Sequence, residues 1–415
     1  MNKPYIRRKL EKKILKYLSA PEILAIVGPR QSGKTTLMKH IFKSLQKAVF
    51  LTFDDKKILN LFSQSPDEFI ELYIKTNKYI FLDEFHYAKA GGKILKYIID
   101  TTDNKKIIIS CSSSADLTIQ AIKYLVGRVF VFNLWPFDFD EFLNFKNPNL
   151  FALFSKKKKP IPQYAKSVSS VNFGAEIITQ LKKYYQEYAI FGGYPRVVLT
   201  QDKEEKIIVL KNIYNTYFLR EVKDILGLAD DYKLTQMIKA LALQIGNLVD
   251  YDEIRRVSNL SFPTMKKYLN FLEKTYISLF IKPYFKNKRT EIVKNPKTYF
   301  FDSGLRNFVV EDFRKIQDRP DGGALLENAV AMQLIKQDLN FNFWRNKQKS
   351  EVDFVISMLN NKKLALEIKT SFKKSDSQTK STRHFMSEHP EIPLIFCSFE
   401  FAPGINKQVL FIPMI

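Results

Sequence analysis

Eight consecutive residues, Gly28-Pro29-Arg30-Gln31-Ser32-Gly33-Lys34-Thr35, fit the pattern G-x-x-x-x-G-K-[ST] at every fixed position. The apolar run ILAIV (residues 23–27) stands in front of it, and Leu37 to Leu45 behind it has the spacing of an amphipathic helix. This order constrains the fold more than the pattern alone does. A strand that turns through glycines into a helix points successive backbone N–H groups at one spot, and the helix N-terminus adds partial positive charge there. Phosphate oxygens are what such a nest holds. Gly28, Pro29, Arg30, Gln31, Ser32, Gly33, Lys34, Thr35 and Thr36 are therefore the candidate contacts to ATP. Lys34 would bridge the β- and γ-phosphates, and the Thr35 hydroxyl would hold Mg²⁺.

From the start to about residue 145, apolar runs alternate with helical patterns, which predicts an α/β unit with a parallel sheet and helices on both faces. The expected strands are 23–27, 48–53, 79–82, 106–110 and 129–134. The third is followed by Asp83-Glu84, two carboxylates at the C-terminal edge where open parallel sheets bind ligands. Asp83 would steady Mg²⁺ and Glu84 would polarise the attacking water. After the fourth strand comes Ser110-Cys111-Ser112-Ser113-Ser114. Ser112 reads either as a sensor of the γ-phosphate or as part of a serine-rich turn. Arg128, just ahead of the fifth strand, reads either as a surface residue or as a group reaching nucleotide in its own or a neighbouring subunit of a homo-oligomer.

The remaining chain divides at composition shifts. With 415 residues there is room for several domains. The expected division is 1–145 for the phosphate-binding unit, 146–230 for a helical lid or linker, 231–290 for a winged helix-turn-helix, and 291–415 for a last α/β domain. Residues 150 to 170, with Lys156 to Lys159, Pro160 and Pro162, read as an exposed loop. Residues 177 to 228 read as helical, broken at Gly192-Gly193-Tyr194-Pro195, with Arg220, Glu221, Lys223 and Asp224 as a solvated face. Three helical patterns at 234–246, 250–258 and 262–275, then a strand-like segment at 276–285, suit a winged helix. Thr264, Lys266, Lys267 and Asn270 would face a DNA groove, or the unit would make a protein contact instead.

The last segment carries a second candidate chemistry. Residues 323–337 form a helical pattern with one acid, Glu327, among apolar neighbours. Asp353 and Glu367 lie on two strand patterns separated by a short turn at Asn360-Asn361, so a hairpin brings them together. Glu367 and Lys369 share a face by the two-residue period. Two acids would hold Mg²⁺, the lysine would orient water against a phosphodiester, and Glu327 would add a ligand or base. The alternative is an acid–lysine pairing on an exposed sheet face.

Composition narrows the classes. The formal charge of +23 is that of a polyanion binder or of a Lys-rich chain with no such partner. Two cysteines without a Cys-x-x-Cys pair exclude a disulfide framework or zinc ribbon and suit a cytoplasmic, reducing setting. Four scattered histidines give no metal cluster, and no apolar run is long enough for a membrane span. The basic, amphipathic first residues read as a helix against the nucleotide unit, not as a signal peptide.

Taken together, Gly28 to Thr36, Leu82-Asp83-Glu84, the serine run, Gly127-Arg128, Tyr188 to Arg196 (YAIFGGYPR), and Glu351-Val352-Asp353-Phe354 with Glu367-Ile368-Lys369 resemble a prokaryotic family over nearly the whole chain. That family joins an AAA+-type P-loop ATPase domain to a C-terminal region of unknown function. The resemblance implies a P-loop NTPase fold, a winged-helix middle, and a restriction-endonuclease-like C-terminal domain similar to PD-(D/E)xK nucleases. It implies ATP and Mg²⁺ as cofactors and names no substrate. Cys111 departs from the family's usual glycine.

Overall fold

A computed structural model of the chain describes residues 5–112, 123–165, 173–219, 232–400 and 409–415. The chain forms two compact units, Met1–Phe137 with Lys274–Tyr276, and Asp138–Glu273 with Ile277–Ile415. Ser113 and Ser114, and the charged residues Arg220, Glu221, Lys223 and Asp224, lie outside the described residues.

The first unit is built on five strands: β1 (Ile23–Gly28), β2 (Ala48–Thr52), β3 (Tyr79–Asp83), β4 (Lys106–Ser112) and β5 (Val129–Asn133). They run parallel in the order β2-β3-β4-β1-β5. Among the helices that cover them are α1 (Lys9–Lys16), α2 (Lys34–Lys43), α3 (Lys56–Gln64) and α4 (Gly91–Thr101). Alternate residues of each strand go to opposite cores. Ile23, Ala25 and Val27 of β1 join Ile80, Leu82, Ile107 and Ile109 under Phe62 of α3 and Leu95 and Ile98 of α4. Leu24 and Ile26 join Phe81 and Ile108 under Ile14 of α1 and Leu37, Met38 and Ile41 of α2. Burial on both faces is why the central strands β1, β3 and β4 read as unbroken apolar runs and not as alternating ones. Helix α2 begins at Lys34, ahead of the first apolar residue of its pattern, because its first turn is the Lys-Thr-Thr of the phosphate loop.

The second unit opens with helices α5 (Phe139–Lys146), α6 (Pro148–Lys157), α7 (Ala175–Phe191), α8 (Pro195–Leu199) and α9 (Lys203–Ile213). Helix α6 corrects the loop expected over 150–170. Proline stands at its first turn, and the Asn147 side chain accepts from Leu150 N at 3.0 Å. Leu150 and Phe154 are buried one turn apart, and Lys156 and Lys157 sit in the last turn, where the dipole favours cations. Next come α10 (Tyr232–Leu243), α11 (Tyr251–Ser258) and α12 (Phe262–Lys274), followed by an antiparallel pair, β6 (Ser278–Ile281) and β7 (Lys297–Phe300). Asp250 caps α11 by accepting from Asp252 N and Glu253 N.

A mixed five-stranded sheet closes the unit: β8 (Asn340–Arg345), β9 (Glu351–Ser357), β10 (Lys363–Ser371), β11 (Leu394–Glu400) and β12 (Val409–Phe411), ordered β12-β11-β10-β9-β8. Strands β8, β9 and β10 are antiparallel neighbours, and β10, β11 and β12 are parallel. Helices α13 (Ser303–Val309), α14 (Gly322–Lys336) and α15 (Lys380–Glu388) belong to the same unit.

The Gly192-Gly193 break after α7 has a structural role. Asp302 caps α13 through Leu305 N, at 3.1 Å, and its other oxygen accepts from Gly193 N at 2.8 Å. Asn307 donates to the carbonyl of Ile190 at 2.9 Å. The side chains of Asp302 and Asn307 thus satisfy free backbone groups at the end of α7 as well as in the first turn of α13 itself.

Candidate functional site

The parallel register brings the sequence motifs of the first unit to one edge. Gly28 pairs with Ser112, Leu82 with Ile109 and Thr52 with Asp83, so the end of β1, the Asp83-Glu84 pair and the end of β4 lie side by side. Gly28 has φ +154°, and a Cβ there would run into the carbonyl of Leu134. Gly33 has φ +99° and caps α2, so both fixed glycines of the loop adopt backbone that side chains disfavour. The Lys34 ammonium is buried and donates to the carbonyls of Gly28 at 2.9 Å and Pro29 at 3.1 Å. Burial lowers its pKa to about 8, against the attraction of Glu84 and Asp83. The Ser32 hydroxyl is buried and has no hydrogen-bond partner among the described residues. A buried orphan donor inside a phosphate-loop turn is what an anionic ligand would satisfy. Thr35 is half-buried, while Arg30, Gln31 and Thr36 are exposed.

The acids have their own supports. Asp83 is buried and accepts from the Ser110 hydroxyl, and Ser110 Oγ in turn accepts from Glu84 N at 3.0 Å. Glu84 has φ +53°, which turns its side chain away from the strand direction. Glu84 Oε2 accepts from Ser112 Oγ at 2.7 Å and lies 3.2 Å from His86 Nδ1. Ser112 therefore stands against the expected water-activating acid. Neither Ser110 nor His86 stood out in the sequence. The strand alternation places Ser110 and Ser112 on one face, and His86 follows the acids in the same turn. Arg8 is a further support, donating to the Ser32 carbonyl at 2.9 Å and stacking on Phe137 at 4.7 Å.

Arg128 is placed otherwise. Ile23 N donates to the Arg128 carbonyl at 2.9 Å, which puts Arg128 at the N-terminal end of β5, beside the start of β1. Strand β1 is six residues long, so the phosphate loop lies roughly 16 Å away at about 3.3 Å per residue. The guanidinium pairs with Asp100 and is 41% exposed. An arginine ahead of a parallel strand sits on the edge opposite the loop, so a reach to its own chain's nucleotide is ruled out.

Burial, with Lys34 and Arg30 nearby, lowers the His86 pKa to about 4, so the ring is neutral at pH 7. In the unfolded chain the same ring titrates near 6.5. The unfolded state therefore takes up a proton that the folded state refuses between those values. Stability is full above about pH 6.5 and falls as the pH drops toward 4. Between pH 7 and pH 5 the loss is on the order of 2 kcal/mol. A His86→Asn variant is expected to show a smaller drop in thermal midpoint over that interval; an unchanged drop would contradict the assignment.

In the second unit the β9–β10 hairpin forms, and Asp353 Oδ2 accepts from Ile368 N at 2.8 Å. Lys369 Nζ lies 2.8 Å from Glu367 Oε1, while Glu367 Oε2 is buried with no hydrogen-bond partner among the described residues. Glu327, from α14, faces the same cluster. The cluster also holds groups that the sequence reading left out. Lys297 of β7 lies 2.6 Å from Glu351 Oε1, 2.9 Å from Glu327 Oε1 and 3.9 Å from Asp353 Oδ1. Tyr299, on the same face of β7, donates to Glu327, and Arg345 pairs with Glu351 at 2.7 Å. Burial raises the Glu327 and Glu367 carboxyls, with Asp353 adding to the rise, and Lys297 pulls Glu327 back. Burial alone would lower the Lys297 ammonium, but Glu327, Asp353 and Glu351 together hold it above its ordinary value. Among the described residues no three His, Cys, Asp or Glu side chains are arranged to hold a metal ion. The expected acid set with Asp353, Glu367 and Glu327 is thus gathered, but an ammonium stands where ligand oxygens were to converge.

Comparison with known proteins finds matches over three stretches of the chain. Residues 20–143 match an AAA domain, residues 182–317 a domain of unknown function (DUF8612), and residues 322–414 another (DUF4143). The chain is 27% identical over 351 residues to the uncharacterized protein MJ1544 of Methanocaldococcus jannaschii, covering 81% of this chain and 72% of that one. It is 23% identical over 358 residues to an uncharacterized protein of Haemophilus influenzae, covering 82% and 81%. Among solved structures it is similar to the Walker-type ATPase PABY2304 of Pyrococcus abyssi, at 14% identity and a TM-score of 0.48, over 75% of this chain and 99% of that one. The AAA match, together with the five-stranded parallel sheet, supports an ATP-binding ATPase domain in the first unit. Among the described residues no helix is long and apolar enough to cross a membrane.

Proposed function

We propose that this chain is a Mg²⁺-dependent ATPase coupled to a DNA-binding, nuclease-like C-terminal half. One observation carries the ATPase reading: Lys34, Asp83 and Glu84 meet at one sheet edge, with Ser110 and Ser112 fixing the two acids. The loop amides and Lys34 would hold the triphosphate, and Thr35 and Asp83 the Mg²⁺. The ion would neutralise charge on the phosphates; Glu84 would take the proton of the attacking water. Phosphate release that depends on Mg²⁺ and stops with EDTA is the expected result. Purified protein without affinity for ATP would end the proposal.

The DNA reading takes α10, α11, α12 and the β6–β7 pair as a winged helix. Lys266, Lys267 and Asn270 are exposed along α12, and Lys266 Nζ stands 3.5 Å over the Tyr251 ring. Contacts from such a helix to Z phosphates give a log–log salt slope of about −0.9Z on duplex DNA. Lys267→Ala is expected to weaken binding and reduce the slope by about one unit. A wild-type slope near zero would remove DNA from the proposal.

A second reading, a regulatory switch whose nuclease-like sheet binds protein or RNA without cutting, is favoured by the ammonium of Lys297 among the acids. Mn²⁺-dependent cleavage of branched or linear DNA that Asp353→Ala abolishes would select the first reading. Absence of cleavage on every substrate would select the second.

A further inference from the structure

Strand β7 is tied to the acid cluster along its length. Lys297 and Tyr299 are two residues apart and share a face, and both engage Glu327 of α14. The next residue, Phe300, exchanges hydrogen bonds with the Asn328 side chain, its N–H donating at 2.7 Å and its carbonyl accepting at 3.2 Å. The other edge of β7 pairs with β6, Ile281 opposite Lys297, and Leu248, just past α10, makes an isolated bridge to Lys297. The lysine is thus held by its backbone from one side and by three carboxylates from the other. Its side chain is 1% exposed.

A buried ammonium is retained only where anions surround it closely, and here Glu351 and Glu327 lie within 3 Å. A divalent cation makes different demands. Mg²⁺ needs oxygens at about 2.1 Å in a near-octahedral set, and it would have to share Asp353 and Glu327 with a positive charge already seated between them. Like charges at that separation in a poorly solvated site repel strongly. Removing the ammonium, by contrast, would leave Glu327 and Asp353 without their Lys297 counter-charge while Arg345 stays paired with Glu351, and would free oxygen donors of the kind that recruits a divalent ion once the side chains converge on it.

We propose that Lys297 is an intramolecular cation that occupies the Glu327–Glu351–Asp353 cluster and keeps divalent metal out of it, an autoinhibitory contact built into β7. The inference rests on the second of the two readings above, in which the nuclease-like sheet does not cut in the wild type, but its test reads metal and not cleavage. Mn²⁺ binding to the full chain is measured by electron paramagnetic resonance without nucleotide, so that the phosphate-loop site is not loaded by its ligand. The wild type is expected to show no site that Asp353→Asn removes. Lys297→Met and Lys297→Gln are each expected to gain one site, tighter by at least tenfold than any in the wild type. Adding Asp353→Asn to either is expected to abolish that gain. An Asp353-dependent site already present in the wild type overturns the proposal, and this arm needs no variant at Lys297 to fold. So does a folded Lys297 variant, checked by circular dichroism, that gains no site. A gained site without DNA cleavage leaves the inference standing and ends only the cutting role.

Discussion

Lys34→Ala is expected to abolish ATP binding, whereas Glu84→Gln is expected to keep binding and stop turnover. The two outcomes differ because the side chains meet different parts of the reaction. Lys34 is 4% exposed, and its ammonium donates to the loop carbonyls of Gly28 and Pro29. A triphosphate entering that turn would take over the ammonium as a close counter-charge, and alanine leaves nothing in its place. Glu84→Gln preserves the size of the side chain and an oxygen that Ser112 Oγ can donate to, so the loop and Asp83 stay as they are. It removes the carboxylate that accepts a proton from water. General-base catalysis of this kind is worth on the order of 10²- to 10⁴-fold in rate. Calorimetric titration with ATP and steady-state phosphate release separate the two. Unaltered turnover in Glu84→Gln would take the role of base from this residue.

The ATPase unit was more legible than the C-terminal cluster for a physical reason. Strands buried on both faces announce themselves as apolar runs, and the expected runs coincide with β1 to β5 to within a residue or two at each end. The ligand edge follows from them, because a parallel sheet puts every strand's C-terminal end on one side. The same geometry could have placed Arg128, which precedes its strand and so belongs to the other edge. In the second unit the hairpin carrying Asp353 and Glu367 is local, and a short turn reveals it. Lys297 is not local. It meets Glu351 across more than fifty residues of chain, and a lone lysine beside a short strand looks like any solvated lysine. No periodicity reports a long-range ion pair. Helix α6 was hidden by its own C-terminal lysines, whose charge reads as loop although it is favourable at the end of a helix.

The GGYPR break gives the second large effect, on stability instead of rate. Gly304→Ala is expected to lower the thermal midpoint by about 10 °C, while Gly323→Ala leaves it unchanged or raises it. A Cβ on Gly304 would come closer than 3.0 Å to Phe191 C and O and to Gly192 N, all of them backbone atoms that cannot rotate away. Relief requires α13 to move off the end of α7, which would loosen the Asp302 bonds to Gly193 N and Leu305 N together with the bond from Asn307 to Ile190 O. Forcing extra volume into a packed site costs about 1–3 kcal/mol, and the lost bonds put this case at the upper end. At about 2–4 °C per kcal/mol for a large unit, the shift follows. Gly323 is the control, because it lies in the first turn of α14 with nothing within 4 Å of a Cβ, and alanine is the better helix former. Equal midpoints for the two variants would mean that the α7–α13 clasp does not hold the unit together, and Gly192 and Gly193 would then need another explanation.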